Sequence, residues 1–397
     1  MLYPRWQTIA RKHAASTAVF HGGRAHTFGE IAAAAEAAPP ADGPVAAPAD
    51  GPGYFVGILR AWRDGQAAMP LEKNSPVPVL ARRPPDHVAL VKHTPGAAGA
   101  PRGIFFTAAA VADEADRIAT AMALTPASPN LAVISLAHSY GFGNIALPLL
   151  LHGVPVHWLD VPFPRIVESA FAENPPLTIA AVPSIWRAWH RSGILAGAPI
   201  RLAISAGSPL PPDLEQAVHQ ATGHKIHNLY GTSETGAISW DASQTPRQHS
   251  TDAGTPLPGV SITISDDQRI RIASPALACG YDSDRPGDTL AHGMHLTRDL
   301  GRLDNATGHL HLDGTLDGAI NVAGRKVSPE KVRQALLASG LLADAMVEPA
   351  PSTDPDRHQE IRARLTWTPG TTANLDALKL HLGKDLAAWE MPRQWVK

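Results

Sequence analysis

The nonapeptide Asn228–Gly236, Asn-Leu-Tyr-Gly-Thr-Ser-Glu-Thr-Gly, gathers the side chains best suited to chemistry. Thr232, Ser233 and Thr235 bring hydroxyls to one short stretch, and Glu234 sets a carboxylate among them. Hydroxyls and backbone N–H groups in a loop can hold phosphate oxygens. A carboxylate beside them can hold the hard cation, such as Mg2+, that accompanies phosphates. The preceding run Lys225–Tyr230 alternates as a strand does. Gly231 is expected to break that strand and Gly236 to close the loop. A surface turn with a glycine stop is the other meaning such a peptide can have.

Four further stretches carry compatible chemistry. His93–Gly103 contains Thr94, Gly96, Gly99, Arg102 and Gly103. Its glycines let backbone N–H groups face a polyphosphate and Arg102 adds positive charge, although an ordinary Gly/Pro loop reads the same way. Ser205–Leu210, with Gly207 and Ser208, is small enough for a flat base to lie against the backbone, or is a turn that caps a helix. In Thr297–Arg302, Asp299 can accept bonds from both hydroxyls of a ribose, or is a solvated aspartate. His138–Gly143 places a histidine and aromatic residues where an acid can bind, or His138 is an unremarkable core or surface residue.

These stretches need elements to position them. The strand candidates Val88–Val91, Leu131–Leu136, Val154–Trp158, Leu177–Val182 and Ile200–Ile204 alternate with helices over Thr107–Ala123, Gly143–Leu151, Phe163–Ala172, Pro183–Arg191 and Pro212–Thr222. Such alternation predicts a layered α/β domain with a largely parallel sheet, whose ligands bind at the strands' carboxyl ends. Ahead of it, Thr27 and Glu30 have capping-box spacing, and Pro39–Gly53 reads as an exposed linker unable to build a core. After Gly254, the short strands Val260–Ile264, Arg269–Ile272 and His309–Leu312 predict a smaller β-rich subdomain. From Asp317 the order strand, helix, strand, strand, helix, ending with Leu375–Ala388, predicts a small α+β module.

Composition excludes other classes. The 397 residues are 44% hydrophobic and 18% charged, a globular balance. A net charge of −2 without basic runs argues against nucleic acid as the main partner. No stretch approaches the roughly 18 apolar residues of a membrane span. Met1–Lys12 has charges and no apolar core segment, so no secretory signal is expected there, and the single cysteine, Cys279, fits the expectation of a cytoplasmic setting. Cys279 lies in an apolar run and is expected to be a small buried hydrophobe. A dinucleotide-binding oxidoreductase needs Gly-x-Gly-x-x-Gly after a strand, and Gly96-Ala97-Ala98-Gly99 lacks that spacing.

Taken in order, the stretches resemble the adenylate-forming superfamily of acyl-CoA synthetases, peptide-synthetase adenylation domains and firefly luciferase. Asn228–Gly236 is similar to its Asn-x-Tyr-Gly-x-Thr-Glu core motif, and Thr94–Gly103 lies where its phosphate loop lies. Gly254–Val260 is similar to its Gly-x-Pro-x-Pro-Gly turn, Thr297–Arg302 to its Thr-Gly-Asp-x-Gly-Arg motif, and Leu316–Glu330 to its hinge and the loop that follows. The resemblance implies a large N-terminal α/β domain over residues 1–316 and a small mobile α+β domain over 317–397, rotating about Asp317. It implies that a carboxylic acid attacks the α-phosphate of ATP, with Mg2+. The acyl-adenylate then passes to the thiol of CoA or of an acyl carrier protein's phosphopantetheine. By position, Ser233 would contact the α-phosphate and Glu234 the Mg2+, with Gly231 and Thr232 among the nucleotide-binding residues. Tyr230 and Asn228 would flank the adenine, with Gly207 and Ser208 beneath it. Asp299 would hold the ribose and His138 would lie beside the acid, an aryl or short acyl one.

The sequence also departs from that pattern. Pro95, Ala97 and Ala98 replace loop hydroxyls, Arg102 replaces a lysine, Arg298 replaces a glycine, and Gly314-Thr315 replaces Gly-Arg. Asp385–Lys397 resembles the segment before the family's final Gly-Lys motif, and the lysine that serves adenylation is expected to have no counterpart in these residues. Weakened adenylation is expected. The alternatives are a protein that performs only the thiol half-reaction, or a non-catalytic binding protein in a biosynthetic pathway.

Overall fold

The computed structural model describes residues 1–94, 102–266, 269–284, 289–315, 320–323, 325–327, 329–352, 354, 359–371 and 373–396, with the backbone alone at 94, 313, 314, 326, 330, 331 and 334. It is a mixed α/β fold with large, mostly parallel sheets, a β-rich region and a C-terminal α+β region. Contacts divide it into two compact units, one drawn from residues 1–313 and the other chiefly from 314–397.

Among the described residues the larger unit is built on a nine-stranded sheet. Its order is Thr255–Pro256, Gly236–Trp240, Ile226–Thr232, Ile200–Ser205, Leu177–Ala181, Asn130–Ala132, Val156–Trp158, Thr17–His21, Arg24–Thr27. Every pairing from Ile226–Thr232 across to Thr17–His21 is parallel. A parallel sheet covered on both faces needs apolar residues pointing both ways. Here neighbours in sequence serve opposite cores: Leu131, Ile179 and Ala203 face one, Ala132, Ala180 and Ile204 the other. The helices Pro164–Glu173, Pro183–Ser192 and Pro212–Thr222 cover the first face. On the second, Gly53–Arg63, Ala108–Ala121 and Leu147–His152 pack in one core with Leu90, Ile104 and Phe106 of a five-stranded sheet.

Several boundaries differ from expectation for physical reasons. Pro39–Gly53 is not a bare linker, because Val45–Pro48 pairs parallel with Ala68–Leu71 as an edge strand, and Val45 and Ala47 are buried. Small residues are what the packing requires: a Cβ on Gly57 of the covering helix would sit 3.2 Å from the Ala47 Cβ. Pro48 is tolerated because the strand lies at the sheet edge. The strand expected over Leu131–Leu136 ends at Ala132, and a helix begins at Ser139. Pro148 cannot donate to the carbonyl of residue 144, and the turns before it widen to π geometry over Phe142–Ala146. The Asn144 carbonyl accepts the Asn130 side-chain amide at 3.3 Å. Val88–Thr94 is followed by a second strand, Arg102–Thr107, paired antiparallel to it, rather than directly by the helix. Thr27 caps its helix as its spacing predicts, with Glu30 completing the box.

The β-rich region is an antiparallel sheet of Ser261–Ile264, Arg269–Ala273, Met294–Leu303 and Leu290–Ala291, with Leu310–Thr315 also paired to Met294–Leu303. Cys279 is exposed, not buried, and its backbone N–H bonds the Phe105 carbonyl at 2.8 Å. In the smaller unit, the hairpin Ile320–Val322/Arg325–Val327 precedes the helix Pro329–Ala338, the strands Leu342–Pro351 and Gln359–Trp367 and the helix Leu375–Asp385. The last helix ends three residues earlier than its composition predicts, and a strand over Gln394–Val396 follows it. The predicted hinge residue Asp317 lies outside the described residues.

Candidate functional site

The nonapeptide is the tip of a β-hairpin. Ile226–Thr232 continues through Gly231 and pairs antiparallel with Gly236–Trp240, Thr232 opposite Gly236. Glycine does not break the strand because the strand is irregular there: the register shifts between Tyr230 and Gly231, and a Cβ on Gly231 would strike the Gly236 carbonyl. Gly236, at φ +66°, is the left-handed residue that a three-residue hairpin loop needs. Ser233, Glu234 and Thr235 form that loop. The Thr235 hydroxyl is internal, bonding the Gly236 carbonyl at 3.2 Å and meeting the Thr232 hydroxyl at 2.9 Å. Ser233 and Glu234 are left partly exposed at the tip, with the Glu234 carbonyl pinned by the Ala278 N–H at 2.8 Å.

The strand Met294–Leu303 supplies the other wall. His295 and Thr297, two apart, are both buried, and the register slips between Leu296 and Leu300, which sets Asp299 in an irregular stretch of the strand. All three meet the hairpin, Thr297 through its side-chain hydrogen bond with Tyr230. The Tyr230 hydroxyl donates to Asp299 Oδ2 at 2.6 Å, joining residues 69 apart in the chain. Burial, then the Asp299 charge, pushes the Tyr230 hydroxyl well above its ordinary pKa, which keeps it a donor. His295 Nε2 lies 3.8 Å from Glu234 Oε2, while Tyr281 donates to Glu234 Oε1 at 3.4 Å. Within the strand itself, the Thr297 hydroxyl accepts from the Asp299 N–H at 3.1 Å and fixes the backbone there.

Beneath the hairpin lies a buried ion pair that its sequence neighbours did not announce. Lys92 and Glu114 are 2% and 3% exposed, and Nζ and Oε2 are 3.2 Å apart. The ammonium stands 4.6 Å from the Phe106 ring centre. The carboxylate packs under the loop: a Cβ on Gly236 would come within 2.6 Å of Glu114 Cδ, and one on Gly143 within 2.7 Å of Oε1. Glycine at these points lets hairpin and π-helix lie on the carboxylate.

The remaining residues singled out from sequence fall variously. Asn228 is buried, donating its side-chain amide to the Asp252 carbonyl at 3.0 Å, and pairs in register with Ser205. Gly207, at φ +84°, and Ser208 continue the chain from the carboxyl end of Ile200–Ser205. Arg102 is buried, its guanidinium 3.6 Å from the Tyr281 ring centre and donating to the Ser283 carbonyl. His138 is exposed and Nε2 lies 2.9 Å from Glu72 Oε1, a partner not foreseen. Tyr140 is committed to structure, donating to the Ala181 and Ile204 carbonyls at 3.3 and 3.1 Å. Gly96, Gly99 and the Thr94 side chain lie outside the described residues. His295, Glu114, Lys92 and Tyr281 were missed. Nothing in the sequence marked His295: alternation would turn apolar Met294 and Leu296 inward, whereas Met294 is exposed and His295 buried.

Among the described residues no three His, Cys, Asp or Glu side chains cluster as a metal site, and no helix is long and apolar enough to cross a membrane. The AMP-binding enzyme family matches residues 12–281. The chain belongs to that family. This AMP-binding enzyme is 24% identical over 333 residues to a 4-hydroxybenzoate–CoA/benzoate–CoA ligase of Rhodopseudomonas palustris, a match covering 79% of this chain and 61% of that protein. It is 29% identical over 324 residues to a probable 2-succinylbenzoate–CoA ligase of Mycobacterium tuberculosis, covering 78% and 79%. Its fold is that of an o-succinylbenzoate CoA synthetase of Bacillus subtilis, with a TM-score of 0.84 at 18% identity over 99% of this chain and 94% of that one. It is equally that of an amide bond synthetase of Marinactinospora thermotolerans, with a TM-score of 0.83 at 20% identity over 100% and 95%.

Proposed function

We propose that this chain is an AMP-forming acid–thiol ligase acting in the cytoplasm on an aryl or short acyl carboxylic acid. A carboxylate oxygen attacks the α-phosphorus of ATP and pyrophosphate leaves. The thiol sulfur of CoA, or of an acyl carrier protein's phosphopantetheine, then attacks the acyl carbon, and AMP leaves. The ligases among its relatives support this class of reaction. The observation that carries the reading is the 2.6 Å bond between Tyr230 and Asp299. It holds one carboxylate oxygen of Asp299 beside the hydroxyl-rich hairpin and leaves the other for ribose hydroxyls.

In this reading Ser233 contacts the α-phosphate, Gly231 and Thr232 belong to the nucleotide site, Tyr230 and Asn228 border the adenine, and His138 stands near the acid. The partly exposed carboxylate of Glu234, with an imidazole beside it, fits a divalent cation. A bound Mg2+ would neutralise charge on the phosphates there. Asp317 remains the proposed boundary between the two domains.

Acid-dependent pyrophosphate release, measured over a panel of aryl and short acyl acids with CoA or a carrier protein as acceptor, tests the proposal. Release with at least one acid, followed by thioester, is the expected result. No release with any acid, and no AMP binding, refutes it. Tyr230→Phe should weaken AMP binding three- to thirty-fold, as the loss of a charge-assisted bond would. Calorimetry showing unchanged affinity would count against the assigned role of Asp299.

One observation favours a second reading. Arg102, the cation of the phosphate-loop stretch, spends its donors on Ser283 and its face on Tyr281. Adenylation is then weak, and the chain transfers acyl groups from a preformed acyl-adenylate or binds without turnover. Consumption of synthetic acyl-adenylate by CoA, without pyrophosphate release from ATP, selects the first. AMP binding with neither activity selects the second.

A further inference from the structure

The strand that carries Asp299 carries a second polar group with no part in holding a nucleotide. We propose that His295 is a second protein ligand, beside Glu234, for the divalent cation at the hairpin tip, and that it shifts preference toward cations accepting imidazole nitrogen, Mn2+ over Mg2+. The inference rests on the reading of Glu234 as the cation's carboxylate.

Four features of the geometry support it. His295 is 4% exposed, so its imidazole is not simply rinsed by solvent. Its Nδ1 lies 3.1 Å from the Thr289 hydroxyl, which fixes the ring and leaves Nε2 as the nitrogen facing the carboxylate. That is the arrangement by which an outer partner orients a metal-binding imidazole. The Nε2–Oε2 separation of 3.8 Å is too long for a hydrogen bond, so neither atom is committed to the other. Two cis ligands with bonds of about 2.1 Å stand roughly 3 Å apart, a distance reached by a small rotation of the Glu234 side chain. Finally, both ligands rest on anchored backbone: His295 within a long strand, Glu234 held at its carbonyl by Ala278.

The chemical consequence follows from ligand type. Mg2+ favours oxygen donors and keeps its waters, whereas imidazole suits the first-row transition metals. A carboxylate alone would not distinguish Mn2+ from Mg2+ by donor type. A carboxylate with an imidazole would.

The test uses the full chain with Mn2+ and α,β-methylene-ATP, an analogue that releases no pyrophosphate. Electron spin-echo measurements read 14N coupling from a nitrogen bound directly to Mn2+, and loss of the free Mn2+ resonance reads affinity. The expected result is 14N coupling that disappears in His295→Phe, with Mn2+ affinity falling about tenfold and Mg2+ affinity nearly unchanged. His295→Gln, which preserves a polar side chain, serves if the phenylalanine variant fails to fold. Mn2+ bound in a Glu234-dependent way without 14N coupling, or coupling that survives both substitutions, overturns the inference and leaves the proposed function standing. Failure of the nucleotide to bring Mn2+ to the protein overturns both.

Discussion

Replacing Glu114 by alanine should lower the unfolding free energy by about 3–5 kcal/mol, the usual cost of stranding one partner of a buried ion pair. Lys92 is 2% exposed and pairs with Glu114 across 3.2 Å. Without that carboxylate the ammonium keeps, among the described residues, the faces of Phe106 and Phe142, 4.6 and 5.8 Å from their ring centres. Two aromatic faces do not replace a full countercharge. Urea unfolding of the variant measures the loss. Removing both charges together, as Lys92→Met with Glu114→Leu, should recover much of it, because an apolar pair of similar size avoids desolvating two ions. The same carboxylate underlies the hairpin, so Gly236→Ala should be more harmful with Glu114 present than in Glu114→Ala. At φ +66° the alanine is strained in either background, but the collision with the carboxylate exists only in the first. A double-mutant cycle reads that coupling directly. A loss below about 1 kcal/mol for Glu114→Ala, or strict additivity with Gly236→Ala, would show that the pair does not carry the loop.

The second large effect falls on chemistry rather than stability. Glu234→Gln should reduce acid-dependent pyrophosphate release about a hundredfold or more, since one charged contact to a phosphoryl transition state is being removed. The substitution preserves shape and hydrogen-bonding length. The Glu234 side chain is 21% exposed and keeps Tyr281 and His295 as neighbours, and the amide is the same size, so thermal stability should change little. AMP binding without metal should persist, because the assigned ribose contact belongs to Asp299. Activity within a few-fold of the unsubstituted protein would remove Glu234 from the cation site.

Much of this arrangement was legible in the chain, and what was not had physical causes. The parallel core was readable because its strands are apolar on both faces and are separated by helices with proline in the first turn. The strand Val45–Pro48 was hidden because Ala46, Ala47 and Pro48 have poor strand propensity, and their value lies in admitting the helix that carries Gly57. The hairpin was taken for a loop because Gly231 normally punctuates, whereas here it is required by the closeness of Gly236. No spacing rule brings Tyr230 to Asp299 across 69 residues; family resemblance pointed to both residues, and the sheet that joins them is a tertiary feature. Lys92 and Glu114 are 22 apart and each alone reads as a solvated charge, so their pairing shows only once strand and helix are packed. The commitment of Tyr140 to two carbonyls was likewise invisible, because a buried hydroxyl and a ligand-binding one have the same letter.

The direct measurement is calorimetric binding of AMP compared with 2′,3′-dideoxy-AMP, on the unsubstituted chain and on Asp299→Asn. If Tyr230 and Asp299 form a ribose-reading wall beside the Ser233–Glu234 tip, the unsubstituted chain binds AMP at least about tenfold more tightly than the dideoxy form, the worth of one to two hydrogen bonds to a charged group. Asp299→Asn then loses most of that difference while binding the dideoxy form as before. Equal affinity for the two nucleotides on the unsubstituted chain, or no binding of either, would contradict the claim that these distant segments enclose one nucleoside monophosphate.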